Sequence, residues 1–291
     1  MLKNNLRIRK ALVNEKIKVR KFILNSFYKK KHILALHSKL FDWQYINKAF
    51  SCTIAILKLK IIGLQLYIPI SQFDSSLKKN KEFFTSLWFT KKTNTIALGT
   101  KIFFHTIKTN KPKLIIGMGI PSYLIDFHKK NNFIIKKMNH HFMFPSKKEE
   151  KNLNKLMIEK IDTFENVKNK QFKKLFNYQF PIKSSNYLEH RFIKHPIYKY
   201  FIYSISFKKE KCLCVCRLVK HGDKNIVRIV DYIGSNNFIK NLKNFYIYIL
   251  EKHNAAYLDF YSYGLPNALL KKSGLSNKDD FKNLIIPNHF E

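Results

Sequence analysis

The sequence predicts a mixed α/β fold in two domains. Three observations carry this: short apolar runs rich in β-branched residues, stretches of helical period placed between them, and a length too great for one core. A single core rarely grows much past ~250 residues, and this chain has 291. Two domains are therefore expected, over residues 1–145 and 146–291, each a mixed, mostly antiparallel sheet flanked by helices. With 45% hydrophobic and 15% aromatic residues, the chain holds enough apolar surface to bury a core despite its many lysines.

The elements follow in order. Thr53 to Ile70 reads TIAILKLKIIGLQLYIPI, two β-branched runs separated by Lys-Leu-Lys, which predicts an antiparallel hairpin. FFTSLWF, Phe83 to Phe89, predicts a third strand. In NTIALGTKIFFHTIKTN, Leu98, Ile102 and Ile107 recur at roughly helical spacing, and Pro112 then precedes the strand-like LIIGMGI. Strand, loop, helix and strand in that order require a crossover and a parallel pair. A short helix is expected from near Pro121 and a further strand in IIKKMNHHFMF, which closes the first domain near Phe144. Pro145 to about Ser185 is Lys-rich and reads as a linker with a connecting helix.

The second series repeats the order of the first. Ile202 to Phe207, Cys212 to Val219 and Ile226 to Ile233 read as strands, with His221 to Asn225 supplying a turn. Phe238 to His253 places Ile239, Leu242, Phe245, Tyr246, Ile249 and Leu250 on one stripe, the clearest helix of the chain. AAYLDFYSYG is a strand and PNALLKKSGL a short helix.

The formal net charge is +36, 55 basic against 19 acidic residues. Such an excess suits a nucleic-acid or anionic-membrane partner. However, only Arg7, Arg9, Arg20, Arg191, Arg217 and Arg228 are arginines, and specific phosphate or base recognition favours the bidentate arginine fork. The abundance of Lys, Asn, Ile, Phe and Tyr together fits the residue usage of an AT-rich genome, so a solvated Lys surface is the simpler reading. Cys52, Cys212, Cys214 and Cys216 lack zinc-ligand spacing, and on a strand the last three share one face, as small core residues of a reducing compartment would. No metal site is expected. MLKNNLRIRK leads into no long apolar region, and the apolar stretch Cys52 to Ile70 is broken by Lys58, Lys60 and Pro69, so neither a signal peptide nor a span is expected. A cytoplasmic location follows as the expectation.

This order of elements resembles the GNAT superfamily of acyl-CoA-dependent N-acyltransferases, in a tandem arrangement similar to double-GNAT proteins of surface-polysaccharide biosynthesis. The family's loop after its fourth strand, Gln/Arg-x-x-Gly-x-Gly/Ala, lays bare amides at a helix N-terminus against the CoA pyrophosphate, where unpaired N–H groups and the helix dipole favour an anion. The matching stretch here is Asn94, Thr95, Ile96, Ala97, Leu98 and Gly99, followed by Thr100 and Lys101. Ala97 stands where glycine is usual and Asn94 where Gln or Arg is usual. The resemblance thus implies acetyl-CoA or another acyl-CoA as cofactor, held by the first domain. Gly234-Ser235-Asn236-Asn237-Phe238, the corresponding loop of the second half, lacks a second small residue at the required spacing, which implies a degenerate or acceptor-binding domain.

The resemblance also points to catalytic groups. Many family members use a tyrosine after the fifth strand to protonate the departing thiolate. His128 takes that position here and could donate a proton; its bland alternative is an exposed helix-surface histidine. In the second half Leu270 occupies the place and cannot transfer a proton. An attacking amine must also lose a proton, and Glu82, at the start of the fourth strand, is the nearest carboxylate. His37 and Asp42 are alternatives on the acceptor side, with surface charge or helix cap as their structural readings. Trp43 and Tyr45 read as core or cleft-wall aromatics.

Tyr187 to Tyr200 gathers Arg191, His195 and Tyr198 in a segment resembling the Trp/His-Arg-Tyr…His-Pro-x-Tyr stretch of these tandem proteins. Arg191 could grip an acceptor phosphate or carboxylate, or pair structurally with Glu189 or Asp231. Asp259, Tyr261 and Tyr263 could face the same cleft, with Asn288 and His289 closing it. The expected function is acyl transfer to a small-molecule amine, on a nucleotide- or lipid-linked amino sugar as the resemblance implies. A basic nucleic-acid-binding protein and an inactive GNAT-like scaffold are the rival classes.

Overall fold

A computed structural model of the chain describes residues 6–27, 31–92, 95–145, 156–163, 170–178 and 180–287. The fold is mixed α/β and comprises two compact units, Met1–Leu124 and Ile125–Glu291, each built on its own mixed sheet. Among the described residues no helix is long and apolar enough to cross a membrane.

The first unit opens with β1 (Arg7–Lys10), α1 (Lys16–Ser26), α2 (Ile33–Leu36) and α3 (Ser38–Tyr45). The expected hairpin follows as β2 (Cys52–Leu57) and β3 (Lys60–Pro69). Its turn residues Lys58 and Leu59 both adopt positive φ, 48° and 64°, the twist a two-residue hairpin loop requires. β4 (Glu82–Thr90) pairs antiparallel with β3, and β5 (Leu114–Ile116) returns parallel to β4 through α4 (Leu98–Asn110). The sheet order is β1-β2-β3-β4-β5. α4 lies close on the sheet because Gly63 is bare there: a Cβ at Gly63 would meet Ile102 Cδ1 at 2.7 Å. Leu98 and Ile102 pack on Ala55 and Ile62, and Thr106 Oγ1 donates to Thr53 Oγ1 across 2.8 Å. The N-terminal helices take the opposite face, with Phe22 against Phe89.

The second unit begins with α5 (Ile125–Lys130), β6 (Asn139–Met143), β7 (Met157–Ile161), α6 (Lys170–Leu175) and α7 (Ser185–Leu188). β8 (Tyr200–Phe207), β9 (Glu210–His221) and β10 (Lys224–Ile233) form an antiparallel meander. α8 (Lys243–Lys252) crosses over to β11 (Ala255–Ser262), parallel to β10, and α9 (Asn267–Lys272) and β12 (Ser276–Asn277) follow. The order is β12-β6-β11-β10-β9-β8-β7. Cys212, Cys214 and Cys216 are buried free thiols in the core beneath Phe245, Tyr246, Ile249 and Leu250, and burial pushes the Cys214 and Cys216 thiols up in pKa.

Three expectations change. The segment around His140 is a strand, but it pairs antiparallel with β11, Tyr261 opposite His140. It therefore belongs to the second sheet, and the division falls after Leu124 rather than after residue 145. LIIGMGI is strand only over Leu114–Ile116, because Gly117 and Gly119, the latter at φ 68°, let the chain turn away. The long helix expected from Phe238 is a 3-10 turn, Asn236–Asn241, before α8.

Candidate active site

The parallel pair β4 and β5 is joined over three positions only, Glu82 with Leu114, Phe83 with Ile115 and Phe84 with Ile116. Thr85 Oγ1 donates to the Ile116 carbonyl at 3.3 Å and latches the last of them. Beyond this point β5 ends while β4 runs on to Thr90, so the two strands part. At the parting β4 carries a bulge, Ser86 and Leu87 standing opposite the single residue Leu66. Such an extra residue bends a strand and re-aims its side chains. A Cβ at Gly117 would lie 2.7 Å from Thr85 Oγ1, so glycine keeps the mouth of the opening passable.

The open end of β4 leads into α4. Ala97 is the N-cap, in the left-handed region at φ 53°, and Lys101 N–H closes the first helical bond on its carbonyl. The amides of Leu98, Gly99 and Thr100 thus start the helix with no intrahelical partner. Ile96 and Ala97 are exposed, Leu98 is buried in the sheet contact, and Thr95, Gly99 and Thr100 are half-buried. Trp88 supports the turn from below, its indole N–H donating to the Gly99 carbonyl at 3.2 Å and its ring stacked on Phe103. A Cβ at Gly99 would come within 3.3 Å of that ring. The turn therefore presents Ile96 and Ala97 outward, with lysines exposed at 91, 92 and 101. Asn94 lies outside the described residues.

On the opposite face the Tyr45 hydroxyl sits 2.6 Å from Ser86 Oγ, with Gln44 Nε2 donating to it at 3.0 Å. Tyr45 is fully buried whereas Ser86 is exposed, so the pair links core to bulge. Glu82 is buried at the closed end of the strand pair, about 26 Å of extended chain from Thr90. His37 is exposed ahead of α3, and Asp42 holds Lys16 at 2.6 Å. Trp43 packs on Phe73.

In the second unit β10 and β11 also run parallel and then part, after Ile229 pairs with Phe260. Val230 is the bulge here, since Val215 faces Asp231 and Cys216 faces Ile229. A cavity of about 320 Å³ lies at this place, lined by Tyr178, Phe180, Lys183, Asp231, Tyr261 and Tyr263 among others. Lys183 Nζ donates to both Asp231 oxygens at 2.8 and 2.6 Å, the side chains only 12% and 14% exposed. The loop that follows is closed. Gly234 is buried, where a Cβ would lie 2.6 Å from Cys212 Cβ, and Phe238 and Ile239 fill the turn. No bare helix start comparable to that of α4 remains.

The other candidate residues of this unit have mostly structural partners. His128 is not on an exposed helix surface: it is buried, with Phe127 and Phe133 rings 5.2 and 5.3 Å away. Burial lowers its pKa, which leaves the imidazole neutral at neutral pH and unsuited to giving up a proton. Arg191 hydrogen-bonds Tyr187; the two carboxylates considered for it are taken by lysines, Glu189 by Lys194 and Asp231 by Lys183. His195 Nδ1 accepts the amides of Ile197 and Tyr198, and burial together with Arg191 and Arg217 lowers its pKa to about 4. Tyr198 lies between this ring and the Arg217 guanidinium, 3.6 Å from its centroid. His195, Tyr198 and Tyr200 line a second cavity of about 330 Å³. Asp259 does not face a cleft as an open acceptor ligand. It is fully buried and gripped by Arg228 through two bonds, 3.0 and 2.7 Å. Asn288 and His289 lie outside the described residues.

Sequence reasoning missed Ser86 and Lys183, and took Asp231 only as a partner for Arg191. The signals were present: Thr-Ser interrupts FFTSLWF, and an aspartate stands inside the apolar run of β10.

No protein-family model matches this sequence, and no curated protein matches it. Solved structures do resemble it. A GCN5-related N-acetyltransferase from Anabaena variabilis superimposes with TM-score 0.62 at 13% identity, over 94% of this chain and 70% of that one. A protein of Enterococcus faecalis, named as a probable N-acyltransferase, gives TM-score 0.59 at 11% identity over 94% and 70%. At such identities the likeness is one of fold: nearly the whole chain shares the architecture of GCN5-related N-acetyltransferases.

Proposed function

We propose that the chain is an acyl-CoA-dependent N-acyltransferase with two GNAT-like units, the first of which binds the cofactor. The parting of β4 from β5 beside the bare first turn of α4 carries the reading. A diphosphate suits the Leu98, Gly99 and Thr100 amides, which combine helix-end polarity with a glycine that adds no side chain of its own. The residues fit the group: Gly99 and Gly117 stand where a Cβ would crowd Trp88 and Thr85. A bound thioester supplies an acyl carbon that an amine can attack, the C–N bond forming as the C–S bond breaks.

The chain's own contribution is chiefly positioning. The edge of β4 from Thr85 to Thr90, with no strand beside it on the β5 side among the described residues, offers main-chain groups to an extended ligand. Ser86, exposed at the bulge and held by Tyr45, is the hydroxyl placed to hydrogen-bond the reacting group or pass on its proton. Glu82 and His128, both buried, are given no part in this reading. The acceptor is an amine; its assignment to a nucleotide- or lipid-linked amino sugar rests only on the likeness of the tandem arrangement, and of the 187–200 segment, to double-GNAT proteins of surface-polysaccharide biosynthesis.

Thermal melts with CoA, acetyl-CoA and nucleotide-sugars test the reading. A ligand at a hundred times its Kd stabilises the folded state by about 2.7 kcal/mol, which a melt resolves. If no CoA species raises the Tm at saturating concentration, the proposal fails.

A further inference from the structure

The first unit carries an aliphatic patch set in positive charge. Leu12, Val13, Ile17 and Leu36 are 59, 40, 68 and 53% exposed. Val13 lies in the 3-10 turn Val13–Glu15 that leads into α1, and Ile17, four residues on, stands in the first turn of α1 on the side away from its buried Val19, Phe22 and Ile23. Arg20 joins α2 to that turn, donating to the Ala35 and Leu36 carbonyls at 2.7 and 3.4 Å. Leu36 therefore stands beside α1. Single exposed aliphatics are ordinary, but several together on one surface mark a place of contact.

Charge indicates what covers it. Residues 1–50 contain thirteen Lys and Arg but only two carboxylates, Glu15 and Asp42. Both are used internally, Glu15 by Arg9 at 2.7 Å and Asp42 by Lys16 at 2.6 Å. Lys18, Lys21 and Lys39 remain exposed at the rim. A polyanion alone would be met by lysines without the aliphatic side chains, and single-stranded nucleic acid calls for aromatic stacking platforms, which these four residues are not. A surface that is both anionic and apolar just beneath is a bilayer with acidic lipids.

We propose that this face docks on an anionic membrane, the four aliphatic side chains entering the headgroup boundary and the lysines pairing with acidic headgroups. The inference is independent of the acyl-transfer reading, since it uses none of those residues. The full chain is floated with phosphatidylcholine vesicles with and without a minority of phosphatidylserine. Binding is expected to the mixed vesicles only and to weaken with salt. Ile17→Glu with Leu36→Glu should lower it at least about tenfold with little change in Tm, both side chains being solvent-exposed. Leu59→Glu, at the 98% exposed tip of the β2–β3 turn, should leave binding unaltered.

Equal binding to both vesicle types, no binding, or equal loss in the Leu59→Glu variant would overturn the proposal. So would a single-stranded RNA that displaces the vesicles and itself loses affinity in the double variant, which would assign the patch to nucleic acid.

Discussion

The hydroxyl of Tyr45 lies 2.6 Å from Oγ of Ser86, tying the fully buried end of α3 to the one point where β4 leaves its regular pairing. A bulge holds its shape only if its neighbours fix it, and this hydrogen bond does so from the core side. Tyr45→Phe removes the bond while keeping the ring against Phe41. The expected cost is about 1 kcal/mol, read as a lower denaturation midpoint with unchanged m-value. Ser86→Ala should reduce turnover with acetyl-CoA more than it raises KM, since Ser86 is proposed to act on the reacting group rather than on the diphosphate. A Ser86→Ala enzyme with full turnover would remove the hydroxyl from the mechanism.

Gly99 separates the two ways in which the α4 turn could fail. Gly99→Glu places a carboxylate where a diphosphate is proposed to sit and presses on Trp88, so the CoA-induced rise in Tm should vanish. Gly99→Ala presses the indole by only a few tenths of an ångström and adds no charge; some of the rise should persist. If CoA stabilises the Glu variant as well as the parent, the diphosphate does not bind at α4.

How much of this could be read from sequence depends on whether the cause is local. The β2–β3 hairpin and α8 announce themselves because their apolar period and turn residues lie within a short window. The strand at Asn139–Met143 was visible, but its partner was not: pairing with β11 closes a loop of more than a hundred residues, and nothing in NHHFM names its neighbour. The bare turn at Ala97 and Gly99 was legible as small residues before a helix. The bulge at Ser86 depends on the register of β4 against β3, which a sequence does not state. Asp259 looked like a cleft ligand because an aspartate at a strand end often is one. Arg228, thirty-one residues earlier, neutralises it instead.

The Arg228 and Asp259 pair gives a stability prediction. Burial by itself would raise the Asp259 pKa, but the His140 imidazole and the Arg228 guanidinium outweigh it and the net shift is downward. A depressed carboxylate contributes stability that is fully present above its unfolded pKa, ~3.9, and is lost as pH falls through its folded value. Asp259→Asn should therefore cost about 3–5 kcal/mol at pH 7, because it leaves Arg228 charged and largely buried. The double change Asp259→Leu with Arg228→Met should restore much of that loss. Urea titrations of the two variants and the parent check it, and an Asp259→Asn variant as stable as the parent would contradict the pairing.

His195 tests the corner before β8 through pH. Its imidazole accepts two amides at Nδ1 and is held neutral, its pKa falling from the ordinary 6.5 to about 4 through burial and the charges of Arg191 and Arg217. Tyr198 and Tyr200 pack on the same ring. In the unfolded chain His195 takes up a proton near pH 6.5, while the folded state resists doing so until about pH 4. The unfolded state thus binds more protons across this window, and stability must fall as the solution is acidified from 6.5 towards 4. His195→Asn keeps an acceptor for the Ile197 and Tyr198 amides, as asparagine does in turns, but has no proton to bind. Its stability at pH 7 should stay within about 1 kcal/mol of the parent, while the decline between pH 6.5 and 4 becomes shallower. A variant that loses stability on acidification as steeply as the parent would show that His195 is not the group resisting protonation.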